Sequence, residues 1–341
     1  MKTFEQCRKE YPVFRYTDYI WEEDDALLRV TYHFEIPGLA SFSPTWTFPK
    51  KDGSSLNLSE NRTLQTMLFD LGMVELVSYW KIACPPKVEV LAGPLDEAQI
   101  RWWKKLYYLG LGEFFYTNGI DTDQEQFLNL VCTGPEFSGA AQPCPAKDGC
   151  LIPIGGGKDS ACTIELLKKS DQKLIPYIIN PRGATLHTVE VSGLSLSDSV
   201  QVYRTLDPRM LELNAEGFLN GHTPFSALVA FSSLIAAYLY GMKYIALSNE
   251  SSANESTVAG SDVNHQYSKS FEFERDFHEY EERYIGSGVY YFSMLRPLSE
   301  FQIAEYFSGL TAYHNIFRSC NVGSKKDIWC GHCPKCLFVF L

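Results

Sequence analysis

Positive charge is scarce in this 341-residue chain: 30 Lys and Arg stand against 41 Asp and Glu, a formal net charge of −11. That balance argues against a partner gripped through a phosphodiester backbone, and so against nucleic acid. It leaves room for a small phosphorylated ligand, which needs only a local site. The N-terminus, MKTFEQCRKEYPVF, lacks the apolar run of a signal peptide, so no secretory leader is expected. Repeats and low-complexity tracts are missing as well. The longest uncharged stretch, Thr223–Met242, is broken by Ser226, Ser232, Ser233 and Gly241 and opens on a Thr-Pro helix start. It predicts a buried helix over 224–240 feeding a strand at 244–248 rather than a membrane span. Two familiar phosphate loops are absent too. The P-loop would need glycine where Ile152 stands and Ser or Thr where Asp159 stands, and the dinucleotide pattern G-x-G-x-x-G fails at Ser160.

What is present centres on Leu151–Ser160, LIPIGGGKDS. Three glycines follow a short apolar run, and a helical pattern opens after them. A strand–loop–helix junction of this kind lets backbone N–H groups close on phosphate oxygens, with the positive end of the helix behind them. Asp159 is then placed to hold a magnesium ion shared with the phosphates. A tight glycine turn without ligand is the plain alternative, although a turn has no need of the Lys-Asp-Ser that follows.

The hydrophobic content of 45% is that of a chain with real cores. Residues 1–145 read as an α+β domain. Leu28, Val30, Tyr32, Phe34 and Ile36 alternate with polar residues and mark a half-buried strand. Val13–Trp21 is its hairpin partner across Glu22–Asp25, and Phe42–Phe48 adds a third strand. Leu64, Met67, Leu68, Leu71 and Val74 recur at helical spacing, predicting a helix over 61–82, and Asp96 with Gln99 caps another. Thr133–Asp148, rich in Gly, Pro and Ala, reads as a linker.

Residues 146–341 alternate strand and helix: a strand at 150–154, a helix facing Ala161, Ile164 and Leu167 inward, a strand at Lys173–Ile179, then the helix 224–240 and its strand. Gly183–Gly193 and Val200–Leu213 are less clear. The alternation predicts an α/β fold, a doubly wound parallel sheet with helices on both faces. Ligands in such sheets sit beyond the carboxyl ends of the strands. That places Gly155–Ser160, Asn180–Arg182 and Ser248–Glu255 around one crevice.

Two further stretches carry chemistry. Ser248–Glu255, SNESSANE, offers carboxylates, amides and hydroxyls at a strand's C-terminal end; a solvated loop is the alternative. Val263–Glu274, VNHQYSKSFEFE, brings His265, Tyr267, Lys269 and Glu272 into close spacing, although a lone histidine is often structural.

The loop GGGKDS resembles the S-G-G-x-D-S loop of the ATP pyrophosphatases (PP-loop enzymes), with Gly155 in place of the first serine. GGGKDS, SNESSANE, VNHQYSKSFEFE and the closing CGHCPKCLFVF, in that order, resemble the MurL family of UDP-N-acetylmuramoyl-L-alanyl-L-glutamate epimerases. The resemblance covers about residues 150–341 by motif, and the first domain by size and place. It implies an adenine nucleotide alpha-hydrolase type of fold. It also implies ATP-dependent epimerisation of the terminal L-glutamate of UDP-MurNAc-L-Ala-L-Glu through an adenylated carboxylate, in peptidoglycan precursor synthesis. Under it, Gly155, Gly156, Gly157 and Ser160 hold the pyrophosphate and Lys158 meets phosphate charge. Asp159 binds magnesium with Glu250. Asn180, Arg182, Ser248 and Asn249 line the nucleotide site, Arg182 facing a phosphate or carboxylate. His265, Tyr267 and Lys269, with Glu250, are the candidates for moving the α-proton or gripping the substrate. Another adenylating PP-loop enzyme, such as a 7-cyano-7-deazaguanine synthase or a tRNA-thiolating enzyme, is the alternative; the acidic charge disfavours the second.

Ten cysteines without a leader suggest a reducing, cytoplasmic setting. Cys320, Cys330, Cys333 and Cys336 have the short spacing of a tetrahedral zinc site, helped by Gly331 and Pro334. Reduced structural thiols, or a catalytic pair of the racemase kind, are the alternatives. Leu337–Leu341 is apolar to the last residue, and a continuation of the chain is expected there, as in MurL-type enzymes.

Overall fold

The structure is a computed structural model that describes residues 2–51, 53, 55–144, 147–251, 267–320, 322–323 and 326–340. The strands in chain order are β1 (Val13–Glu23), β2 (Leu27–Ile36), β3 (Ala40–Phe42), β4 (Thr45–Pro49), β5 (Lys87–Val90), β6 (Asn129–Cys132), β7 (Lys147–Pro153), β8 (Lys173–Ile179), β9 (Val200–Thr205), β10 (Met242–Leu247) and β11 (Tyr290–Ser293). The helices are α1 (Phe4–Glu10), α2 (Arg62–Trp80), α3 (Glu97–Gly110), α4 (Gly112–Thr117), α5 (Lys158–Leu167), α6 (Gly183–Ser192), α7 (Pro208–Ala215), α8 (Phe225–Tyr240), α9 (Phe271–Tyr280), α10 (Glu300–Ser308) and α11 (Pro334–Phe340). They form two compact units, one of Met1–Pro143, Arg204–Ile235 and Asn254–Ser287, the other of Cys144–Tyr203, Ala236–Ala253 and Gly288–Leu341. The first exchange lies at Pro143/Cys144. Two later segments, 204–235 and 254–287, group with the first unit, a discontinuity that no linker composition announces.

In the first unit β2 pairs antiparallel with β1, β3 and β4, while β1, β5 and β6 run parallel. The β1–β2 turn is closed by Asp24, whose carboxylate accepts from the N–H groups of Ala26 and Leu27. The strand expected over Phe42–Phe48 is two strands broken at Ser43-Pro44, because proline has no N–H to offer a ladder. The capping box expected from Asp96 and Gln99 opens α3. Periodicity gave α2 one apolar face, yet Thr63 to Trp80 are buried all round. Its polar residues find distant partners: Glu75 takes two bonds from Arg204 and one from Trp46 Nε1, and Asp70 Oδ1 accepts from the hydroxyl of Tyr280. Trp103, Phe231, Phe277 and Tyr280 pack ring against ring, which is why α9 and the start of α8 belong to this unit.

The second unit is α/β. Its sheet is entirely parallel, in the order β11-β10-β7-β8-β9. Cys150, Ile152 and Ile154, with Ile178 and Ala246, bury one face under Ile164 and Leu167 of α5 and Val189 of α6. Leu151, Ile175, Tyr177, Ile245 and Tyr291 on the other face are buried as well. A sheet covered on both faces reads as continuous apolar runs, which is how β7 and β8 look in sequence. Ala161 and Cys162 on α5 pack against Leu295, Ile303, Phe307 and Phe317. No helix among the described residues is long and apolar enough to cross a membrane.

Candidate functional site

All five strands of the second sheet run the same way, so the segments after β7, β8, β10 and β11 emerge at one edge. Taken in chain order, the strands spread from β7 through β8 to β9, then return to the other side of β7 with β10 and β11. The order reverses between β7 and β10, and the crevice at such a reversal is where α/β sheets take ligands. Gly155–Ser160, Asn180–Arg182 and Ser248–Glu250 follow β7, β8 and β10, so the sheet brings these expected site residues to one edge.

The glycine loop has a reason for each glycine. Gly155 is exposed, and a Cβ there would meet nothing within 4 Å, so its backbone faces open space. Gly156 has φ +78°, and a Cβ would lie 3.0 Å from the backbone of Ala184 and Thr185 at the start of α6. Gly157 is the N-cap of α5, and no side chain caps the helix there. The first N–H groups of α5 are thus left for an anion, apart from that of Lys158, which donates to Ser319 Oγ at 3.4 Å. Ser160 donates its hydroxyl to the carbonyl of Gly157 at 2.9 Å, bracing the loop from within.

Lys158 is 6% exposed, and its ammonium lies 2.5 Å from Asp159 and 2.7 Å from Glu300. Burial alone would lower its pKa, but the two carboxylates outweigh burial and hold it raised. It stays charged and fixes the Asp159 side chain at the loop's rim. Lys158 also lines a cavity of about 1480 Å3 walled largely by apolar residues such as Phe301, Phe307, Trp329 and Phe338. That wall offers few polar groups to a charged ligand.

Around the same edge, Asn180 ends β8 in the left-handed region with φ +48°, its N–H on the carbonyl of Val202. Arg182 is exposed and caps α6, its N–H donating to Thr185 Oγ1. Ser248 Oγ is buried without a hydrogen-bond partner among the described residues. Asn249 donates to Ser293 Oγ at 3.1 Å, and the carbonyl of half-buried Glu250 accepts from Arg296 at 3.0 Å. Arg296, Glu300 and Ser319 had no signal in sequence. Arg296 comes to this edge after β11, Glu300 at the start of α10 and Ser319 through its bond from the Lys158 N–H, and only Ser319, beside Cys320, stood near a motif.

The remaining candidates divide. His265 lies outside the described residues. Tyr267 and Lys269 belong to the first unit. Tyr267 is buried, and burial followed by the adjacent Asp276 carboxylate raises its pKa. A phenol so placed stays protonated, and it donates to Asp276 at 2.8 Å, while Lys105 pairs with the same carboxylate. Lys269 is half-buried on the turn before α9.

The four closing cysteines converge. Their sulfurs all lie within 4.8 Å of one another, and no cysteine among those described is in a disulfide. The N–H groups of Gly323 and Cys330 donate to Cys320 Sγ at 3.0 and 3.4 Å.

Against known proteins, the sequence profile of the MurL N-terminal domain matches residues 5–294. The match takes in the first unit's N-terminal half, which the motifs did not reach, and stops short of the four cysteines. The chain is 35% identical over 289 residues to a Xanthomonas oryzae pv. oryzae protein named UDP-N-acetyl-alpha-D-muramoyl-L-alanyl-L-glutamate epimerase. Proteins of the same name from a Micromonospora species and Salinispora tropica are each 34% identical over 290 residues. Each alignment covers 82% of this chain, and the chain spans only 61–62% of the length of these relatives.

Proposed function

The chain belongs to the MurL N-terminal domain family, and from that premise we propose that it takes part in ATP-dependent epimerisation of the terminal L-glutamate of UDP-MurNAc-L-Ala-L-Glu. In this reading the second unit is a doubly wound ATP-binding domain of the PP-loop type, and the product is the D-glutamate epimer for peptidoglycan synthesis. One observation carries the nucleotide half of the proposal: a triple-glycine loop, opening on an uncapped helix, at the edge where the strand order reverses.

The chemistry explains why an epimerase would need ATP. A proton α to an ionised carboxylate is hard to remove, because the carbanion adds charge to an anion. The carboxylate attacks the α-phosphorus of ATP, pyrophosphate leaves, and a mixed anhydride with AMP results. A base then takes the α-proton, and the electron pair is held as an enolate on the anhydride carbonyl. A proton returns on the opposite face. Water cleaves the anhydride and releases AMP and the D-epimer.

The chain's residues take roles that follow from their placement. The amides of Gly155, Gly156 and the start of α5 bind the phosphates, and Ser160 keeps the loop in shape. Lys158, committed to Asp159 and Glu300, orients the Asp159 carboxylate. Asp159, with Glu250 as second carboxylate, would hold a magnesium ion, which would supply charge neutralisation at the pyrophosphate. Asn180, Ser248 and Asn249 line the nucleotide, and Arg182 and Arg296 are cations for a phosphate or carboxylate. His265 and Lys269 are the candidates for the base, joined by Glu250 only where Asp159 holds the magnesium alone; the base must come within hydrogen-bond reach of the α-proton. Tyr267, held protonated, is a donor rather than a base.

Incubating the protein with ATP, magnesium and UDP-MurNAc-L-Ala-L-Glu should yield AMP and D-glutamate in the recovered dipeptide. Asp159→Ala should abolish AMP release. Wild-type protein that neither binds nor splits ATP with substrate present refutes the proposal.

A further inference from the structure

The proposed reaction uses none of the four cysteines, and none lies in the residues that the family profile matches. We propose that Cys320, Cys330, Cys333 and Cys336 bind one zinc ion, and that this ion holds the Arg318–Ser319 segment against the glycine loop.

The size of the cage argues for a single ion. Zinc–thiolate bonds of about 2.3 Å place the sulfurs of a regular tetrahedron roughly 3.8 Å apart. The sulfurs stand 3.4 Å apart for Cys333–Cys336, 3.8 Å for Cys330–Cys336 and 3.9 Å for Cys320–Cys333. Disulfides would need about 2.05 Å. An iron–sulfur cluster spreads its thiolates over several metal atoms and requires a wider cage. Four sulfurs without nitrogen or oxygen ligands suit zinc, which has no geometric preference of its own to violate. Each thiol gives up its proton to solvent on binding, so the loaded site carries a formal charge of two minus. The N–H groups of Gly323 and Cys330 point at Cys320 Sγ and offset part of that charge. Gly331, at φ +74°, allows the turn between Cys330 and Cys333.

The cage is joined to the glycine loop by the residues just before it. The N–H of Arg318 donates to the carbonyl of Gly156 at 2.8 Å, and Ser319 Oγ accepts from the N–H of Lys158. A Cβ at Gly157 would sit 3.0 Å from that same Oγ. The Arg318 guanidinium donates to the carbonyl of Asp327, inside the Cys320–Cys330 loop, and the Asp327 carboxylate lies so near Gly183 that a Cβ there would meet it at 2.7 Å. The ion thus closes a loop that leans on Gly156 through Arg318, just before it, and on the first residue of α6 through Asp327, within it. This placement holds whether or not the loop takes ATP.

The test uses the full chain purified without chelator. Elemental analysis should find one zinc per chain. Cys330→Ser and Cys336→Ser should each lose it, while Cys150→Ser, outside the cage, keeps it. Cobalt exchanged into the site should show the absorption of a tetrahedral tetrathiolate. Amide hydrogen exchange reads the coupling: stripping the metal under reducing conditions should speed exchange in 155–160 and 318–320 by about tenfold or more, and added zinc should restore protection. Wild-type protein without zinc, with iron in its place, or a Cys330→Ser variant that keeps its zinc overturns the site. Unchanged protection of 155–160 in the stripped wild-type chain overturns the coupling. Failure of ATP to bind touches neither readout, so it would count against the nucleotide reading alone.

Discussion

Neighbouring glycines in one loop should respond to alanine in opposite ways. At Gly156 the left-handed backbone disfavours any Cβ by about 1–2 kcal/mol. The new methyl would also press on the backbone of Ala184 and Thr185 at 3.0 Å, and main chain at a helix start gives way poorly. Overpacking of that kind adds about 1–3 kcal/mol. Stiffening of the unfolded chain returns about 0.4–1 kcal/mol at most. Gly156→Ala should therefore destabilise the protein by about 1–5 kcal/mol. At Gly155 neither penalty applies, since a Cβ enters open space, and only the unfolded-chain term remains. Gly155→Ala should leave stability at wild type or up to about 1 kcal/mol above it. Its methyl would nonetheless stand where phosphate oxygens must approach the backbone, and ATP affinity should fall by about tenfold or more, 1.4 kcal/mol. Urea denaturation and calorimetric titration with ATP and magnesium measure the two quantities on the same samples. If Gly155→Ala binds ATP as wild type does, the loop is not the phosphate cradle. If Gly156→Ala unfolds at the wild-type midpoint, the contact with α6 does not constrain the loop.

Three further outcomes are expected. Arg204→Met should destabilise by about 3–5 kcal/mol in urea, because Glu75, fully buried, would keep only its bond from Trp46 against its charge; a loss under about 1 kcal/mol would mean that water or another cation reaches Glu75. Asp70 is held well above its usual pKa by burial, only partly opposed by the Tyr280 bond. It stays protonated in the folded chain after the unfolded chain has ionised near about pH 3.9, so its contribution to stability declines as pH rises from there towards the folded value. Asp70→Asn should accordingly gain on wild type more at pH 8 than at pH 5, and equal differences at the two pH values would contradict a neutral carboxyl. Gly72→Ala should destabilise despite the better helix propensity of alanine, about 1 kcal/mol, since a Cβ would land 2.1 Å from the hydroxyl of buried Tyr16 and 2.7 Å from the ring of Tyr32; thermal unfolding shifted upward would refute that packing.

Much of the second unit was legible because its signals are local. β7, the glycine loop, α5 and β8 are contiguous, and each shows its own period or stop signal. α6 was obscure for a local reason: GATLHTVEVS opens on glycine and is rich in β-branched residues, and it is helical because Thr185 and Arg182 cap it and Val189 fills the core. In the first unit the obstacle was distance. Nothing near Asp70 or Glu75 tells that their partners are Tyr280 and Arg204, so polar positions on α2 resemble a solvent face. The candidate site was legible wherever a strand end and a loop coincide, at Gly155–Ser160 and Ser248–Glu250. Glu300, whose ammonium partner lies far back in the chain, had no such marker.

The chain visits each unit three times, leaving and returning within β9 and α8 and again before β11. A ribosome emits the strands of the second unit's core long before α9 arrives to complete the first. Neither half can finish while the other waits, so synthesis must carry a partly built pair at least as far as β11. For the same reason no single crossover between genes could hand one unit to another protein intact; the two are inherited together.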